Sequence, residues 1–203
     1  MRHGATEWNR KHIAQGHADV PLNAEGRRQA RRLADRLAFE RISAIYSSDL
    51  VRALDTARPL AARRRLDVVA DPAFREIDQG EWEGLHNEEI AARWPDLWGP
   101  ARHFKARPGG ESPADVRARA LEGVRRAAAA HPEGCVVIVN HGGTIRWLLA
   151  EALGIGDEGS ARLRGVANGG VVSMDAQLLD GRLRLAGLRR LDDEAPDRDD
   201  PNH

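Results

Sequence analysis

The chain has 203 residues, enough for one domain with a substantial core, and 31 basic residues balance 31 acidic ones. That balance gives no electrostatic pointer to nucleic acid or to a membrane surface, and the apolar runs are too short to cross a bilayer. A single cysteine, Cys135, excludes an internal disulfide framework and fits a reducing compartment, the cytoplasm.

In chain order, residues 1–23 lack a sustained period and read as a functional loop carrying His3, His12 and His17. Asn23 is placed to cap a helix over about 24–39, with Ala30, Leu33, Ala34 and Leu37 on one face. The opposite face holds Arg27, Arg28, Arg31 and Arg32. Interspersed acids and the lack of aromatics make it a solvated face rather than an RNA stripe. Ile42–Tyr46 reads as a short strand, and Ser47-Ser48-Asp49 as the start of a helix that Pro59 should kink or divide. Val68–Ala70 adds a brief strand. Residues 74–84 mix glycines and acids without a helical period, which places Glu76 in a loop. Residues 85–112, with Trp94, Trp98 and Phe104 among Pro and Gly, are the least regular stretch and suit a cover over a pocket.

Ser112 with Asp115 opens a helix of about eighteen residues to His131. Cys135–Val139 is a continuous apolar run, as in a strand covered on both faces, with Cys135 a buried structural thiol. Thr144 starts another helix, stopped by Gly154. Val171–Met174 and Arg182–Leu188 read as antiparallel strands joined through Asp180-Gly181. The acidic tail from Asp192 is expected to be unstructured, leaving residues 1–190 as the domain. Strands alternating with helices predict an α/β fold, a three-layer sandwich with a mostly parallel central sheet.

Two histidine-glycine turns stand out: Arg2-His3-Gly4 and His141-Gly142-Gly143. Ligands of open α/β sheets collect beyond the carboxyl ends of strands, where His141 and Arg52 fall. Together with Glu76, these residues are what a phosphoryl-transfer site requires. Arg2 and Arg52 offer planar forks to phosphate oxygens, and His3 can attack phosphorus through one ring nitrogen. Amides at a helix start near Ser48 add positive potential, and His141 can orient the transferred group. Glu76, beside apolar Ile77, can protonate the leaving oxygen, while Thr6, Asn9 and Gln15 can complete the phosphate contacts. Zinc is disfavoured because neither His-Glu-x-x-His nor Cys-x-x-Cys spacing occurs, and a serine nucleophile because Gly-x-Ser-x-Gly is absent.

Over about residues 2–190 the sequence resembles the histidine phosphatase superfamily, the phosphoglycerate mutase-like group. The segments that carry the resemblance are Arg2-His3-Gly4-Ala5-Thr6-Glu7-Trp8-Asn9, Gln15-Gly16, Ser47 to Ala57 with Arg52, Arg75 to Gly84 with Glu76, Gly109-Gly110-Glu111-Ser112 and His141-Gly142-Gly143. The resemblance implies a phosphoglycerate mutase-like fold and a phosphohistidine on His3, with Glu76 as proton donor. It also implies Arg2, Arg52 and His141 around the phosphate, no metal and no cofactor. Trp82 is expected to be a packing residue. Ala5 and Asn140 depart from the family pattern at positions usually acidic and small-hydroxyl, respectively. Relatives run an apolar strand into the Arg-His-Gly, whereas here Met1 alone precedes it, so the first strand is expected to be missing.

No lysine comes directly after Gly84, where Leu85-His86-Asn87 stands, and residues 86–112 are short. Both features favour a metal-independent, acid-type histidine phosphatase over a cofactor-dependent phosphoglycerate mutase. The expected partner is a small-molecule phosphomonoester, of the broad-specificity or α-ribazole-phosphate kind. A homodimer and a catalytically silent phosphoester-binding domain stay open.

Overall fold

The computed structural model describes residues 1–190; the tail from Asp192 lies outside them. In chain order the elements are α1 (Glu7–Arg10), α2 (Ala24–Arg36), β1 (Ile42–Ser47), α3 (Val51–Arg64), β2 (Val68–Ala70), α4 (Asn87–Arg93), α5 (Pro113–Ala130), β3 (Cys135–Val139), α6 (Gly142–Ala152), α7 (Asp157–Ser160), β4 (Val172–Leu179) and β5 (Arg182–Arg190). The three strands β2-β1-β3 pair in parallel, and β4-β5 form an antiparallel hairpin. Helices cover both faces of the parallel sheet. Leu33, Ala34 and Leu37 from the α2 side pack with Ala53, Ala57 and Leu60 of α3 on Ile45, Val137 and Val139. The alternate strand residues, Tyr46 and Ile138, point to the other face and meet Phe74, Ala120, Val124 and Leu148. The period of two along a strand sends neighbours to opposite layers, and each fully buried Leu or Ile contributes about 1.5–3 kcal/mol.

On the side of β3 away from β1 lie Met1–His3. The Met1 amino group donates to Ile138 O at 2.8 Å, and burial pushes it down to about 5, so it is neutral at physiological pH. Asn140 N donates to Met1 O at 2.9 Å and His3 N to Asn140 O at 3.0 Å, which leaves one parallel bridge, Arg2 to Asn140. On the other side, Arg2 N donates to Gly170 O at 3.0 Å, just before β4. Met1–His3 thus lie between the sheet and the hairpin and place Arg2 and His3 at the carboxyl end of β3.

Several local expectations need correction. Helix α3 begins at Val51, not near Ser48, and its first amide is capped from afar: Val51 N donates to Asp19 Oδ1 at 2.6 Å. Pro59 lies inside α3 without ending it, because the packed face with Ala57 and Leu60 continues across it. The 85–112 stretch contains α4, at whose start His86 N donates to Glu89 Oε2 at 3.0 Å. Cys135 is exposed, not buried: it is the first residue of β3, and the strand's buried positions are Val137 and Val139. The hairpin turn falls as expected at Asp180-Gly181, both with positive φ (50° and 76°), matching the twist of its strands.

The His3 loop and α2 touch backbone to backbone. A Cβ on Gly26 would lie 2.1 Å from Ala5 O, and one on Gly4 would lie 2.5 Å from Gly26 O. Alanine at Gly26 would favour the helix by up to about 1 kcal/mol, but main-chain atoms cannot swing aside as a side-chain tip can. Overpacking of this kind costs about 1–3 kcal/mol or more. Gly26→Ala is therefore expected to lower the melting temperature, by roughly 2–4 °C per kcal/mol lost. An unchanged thermal melt would show that the contact is slack.

Candidate active site

The two histidine turns, 138 positions apart in sequence (141 − 3), meet in space. The rings of His3 and His141 lie 5.1 Å apart between centroids, at 57°. His3 is 2% exposed and His141 is fully buried. His3 Nδ1 sits 2.7 Å from Gly4 O. A carbonyl can only accept, so Nδ1 carries the proton, and in the neutral ring the lone pair is on Nε2. His141 is held differently: neither ring nitrogen has a hydrogen-bond partner among the described residues. Burial first, and then the positive charges of Arg52 and the other nearby cations, hold its pKa well below the ordinary histidine value, so its ring is neutral at physiological pH.

Both expected arginines are wholly buried here. Arg2 donates through Nη1 to Val166 O at 2.8 Å. Arg52 donates through Nη1 to Ala18 O and through Nη2 to Gly16 O, each at 2.7 Å, which fixes the 16–18 loop. Each terminal nitrogen of Arg52 keeps a second N–H, and Arg52 Nε has no partner among the described residues. Burial pushes the Arg52 guanidinium down to about 10, against the opposing pull of Glu76, Asp19 and Glu83, so it is still charged at neutral pH. Thr6 caps α1 in a reciprocal pair with Asn9, and its hydroxyl lies 2.9 Å from Gln15 Oε1. Thr6 is thus an organiser. The amide nitrogens it helps to place, Asn9 Nδ2 and Gln15 Nε2, are buried without partners.

Glu76 is 2% exposed and sits at the amino end of α6. Its Oε2 accepts from Gly143 N at 3.1 Å and its Oε1 from Ile77 N at 3.0 Å. Gly143 permits this: a Cβ there would lie 2.5 Å from Glu76 Oε1. One end of the parallel sheet thus gathers two imidazoles, two guanidinium groups, a carboxyl and two unpartnered amides.

The family model described as the histidine phosphatase superfamily, branch 1, matches residues 1–187. This chain belongs to that superfamily. It is 39% identical over 161 residues to phosphoglycerate mutase-like protein 4 of Arabidopsis thaliana, covering 75% of this chain and 69% of the other. It is 37% identical over 184 residues to the glucosyl-3-phosphoglycerate phosphatase of Mycolicibacterium vanbaalenii, covering 86% and 81%. Among solved structures, a mycobacterial glucosyl-3-phosphoglycerate phosphatase complexed with VO3 superposes with a TM-score of 0.84 at 34% identity, covering 96% of each chain.

Around this histidine phosphatase centre the structure adds residues that the sequence did not single out. Asn168 Nδ2 donates to His3 O at 3.1 Å, and Gly169 N to the same oxygen at 3.1 Å. Asn168 thereby backs the His3 loop from the glycine-rich turn before β4, and Asn-Gly-Gly is the turn chemistry that could have marked it. Arg107 is 7% exposed and lies over the Trp82 ring at 4.7 Å, donating through Nε to Gln79 Oε1 at 3.1 Å. Burial pushes it down to about 10 while Glu76 pulls the other way, so it places a cation on the Glu76 side. Trp82 itself packs against Trp94 and Trp98, a core role. Among the described residues, no three His, Cys, Asp or Glu side chains converge as a metal site would require, and no helix is long and apolar enough to cross a membrane.

Proposed function

We infer that this chain hydrolyses small-molecule phosphomonoesters through a phosphohistidine on His3. The observation that carries the reading is the His3 ring, its Nδ1 proton tied to Gly4 O, lying 5.1 Å from the His141 ring amid buried guanidinium groups. The Nε2 lone pair attacks phosphorus, the bond to the leaving oxygen breaks, and Glu76 gives that oxygen its proton. Water then attacks the phosphohistidine, Glu76 takes a proton from it, and the P–N electron pair returns to Nε2. Arg2, Arg52, His141, Asn9 and Gln15 face the phosphoryl oxygens, where positive charge and preset donors lower the barrier most. No step calls for a metal. The superfamily membership and the phosphatase named among its relatives support hydrolysis; the lone cysteine fits a cytoplasmic setting.

The test uses p-nitrophenyl phosphate, and 3-phosphoglycerate, in ¹⁸O-enriched water with EDTA present. Inorganic phosphate should appear carrying one solvent oxygen, at a rate the chelator changes by less than about twofold, well short of the several kcal/mol a catalytic metal supplies. Conversion to 2-phosphoglycerate without free phosphate would make it a mutase, and zero turnover by folded protein a binding domain.

A further inference from the structure

Residues 74–78, from which Glu76 projects, belong to no strand or α-helix apart from the last residue of a short 3₁₀ turn at Pro72–Phe74. They are nevertheless tied down by one side chain from the middle of α5. Arg119 donates through Nε to Glu111 Oε1 at 2.9 Å and through Nη2 to Glu111 Oε2 at 2.8 Å. Its Nη2 also donates to Glu76 O at 2.8 Å, and its Nη1 donates to Arg75 O at 2.8 Å and Ala73 O at 3.0 Å. A guanidinium has five N–H donors, and all of them are engaged. Glu111 closes the clamp from the other side: its Oε2 accepts from Asp78 N at 2.9 Å, and its own N–H donates to Asp78 O at 3.1 Å.

A simple ion pair would need only the two-pronged contact with Glu111. Here the remaining three donors all go to main-chain oxygens at or just before the acid, and the carboxylate reaches the amide two residues after it. The two side chains are 22% and 24% exposed, and pairs near the surface add little stability. Their directional bonds fix a peptide. Burial alone would raise the Glu111 carboxyl, but Arg119 and the Asp78 amide outweigh it and leave it below the usual range, so it stays ionised. His17 Nε2–H, donating to Glu76 O at 2.9 Å, and Thr144 Oγ1, donating to Arg75 O at 2.8 Å, are weaker, single-point supports.

We propose that the Arg119–Glu111 pair is a positioning device for the proton donor, fixing the peptide that aims the Glu76 carboxyl without touching substrate. This rests on the reading of Glu76 as the acid. When the P–O bond breaks, its electron pair goes to the leaving oxygen and the Glu76 proton follows. A strongly basic leaving group needs that proton, whereas p-nitrophenolate departs without it. Misplacing the acid must therefore cost in proportion to leaving-group basicity, which general loosening of the fold would not do.

The experiment compares kcat/KM for p-nitrophenyl phosphate and phenyl phosphate, matched in shape, in the wild type, Arg119→Lys, Glu111→Gln and Glu76→Gln. Phenol has a pKa of about 10, like tyrosine. Arg119→Lys and Glu111→Gln should each lose roughly 10- to 100-fold on phenyl phosphate, as for a misaligned acid. On p-nitrophenyl phosphate the loss should stay within about threefold, and Glu76→Gln should show the same selectivity, larger. Equal losses on both substrates in the two pair variants, with Glu76→Gln still selective, would overturn the positioning role. If Glu76→Gln itself is unselective, the assignment of the acid fails and the positioning role falls with it. Should Arg119→Lys not fold, the near-isosteric Glu111→Gln carries the test alone.

Discussion

Replacing His3 by alanine is expected to bring phosphomonoester hydrolysis to background, a loss on the order of 10⁴-fold or more, as when a covalent nucleophile is deleted. The choice of His3 over His141 follows from how each ring is held. Nδ1–H of His3 is fixed on Gly4 O, so its nucleophilic nitrogen is defined before substrate arrives. His141 has no hydrogen-bond partner on either nitrogen among the described residues, which suits a ring that the phosphoryl group would orient in the proposed reaction. His141→Ala should then slow turnover while still trapping label from a ³²P-phosphomonoester, whereas His3→Ala should trap none. Label from wild type should be stable in base and lost in acid, as a phosphoramidate is. His3→Gln, closer in volume at this 2% exposed position, should match His3→Ala in activity while retaining the wild-type melt. Label on a serine or aspartate, or turnover within tenfold of wild type in both variants, would remove His3 from the reaction.

The parts of this site that the sequence disclosed are those packed into contiguous motifs. Arg2-His3-Gly4 and His141-Gly142-Gly143 each combine a reactive side chain with the glycines its turn needs, so residue type and local geometry coincide. The same holds for Ser112 with Asp115, a reciprocal cap readable at fixed spacing. What stayed hidden is carried by distant pairs. The cap of α3 comes from Asp19, 32 positions before Val51, and the clamp on Glu76 comes from Arg119, 43 positions after it. Nothing in the local pattern of α5 separates Arg119 from Arg117 or Arg125, least of all in a chain this rich in arginine. Cys135 misled for a related reason. An apolar run reports strand character, but burial along it differs by position, and Cys135 stands at the exposed start of β3 whereas Val137 and Val139 are buried.

Arg52→Lys should prove nearly as damaging as loss of the nucleophile, although it keeps the charge. In the proposed reaction the guanidinium serves two sides at once: Gly16 O and Ala18 O take one N–H from each terminal nitrogen, and the second N–H of each would meet a phosphoryl oxygen. An ammonium is a point donor and cannot span both carbonyls while facing the phosphate. Two hydrogen bonds to a charged group are worth about 1.5–3 kcal/mol each. Losing two from the transition state corresponds to roughly 10²- to 10⁴-fold at about 1.36 kcal/mol per decade. The released 16–18 loop adds to the damage, because it contains His17, which donates to Glu76 O, and adjoins Gln15. The expected result is a fall of that size in kcat/KM for p-nitrophenyl phosphate, with weaker product inhibition by inorganic phosphate. Arg52→Met, which removes the charge but keeps much of the buried volume, should lose more activity than Arg52→Lys while melting no lower, because it buries no unpaired ammonium. If Arg52→Lys keeps wild-type inhibition by phosphate and loses activity only in step with its melting temperature, Arg52 is an anchor for the 16–18 loop and not a ligand of the phosphoryl group.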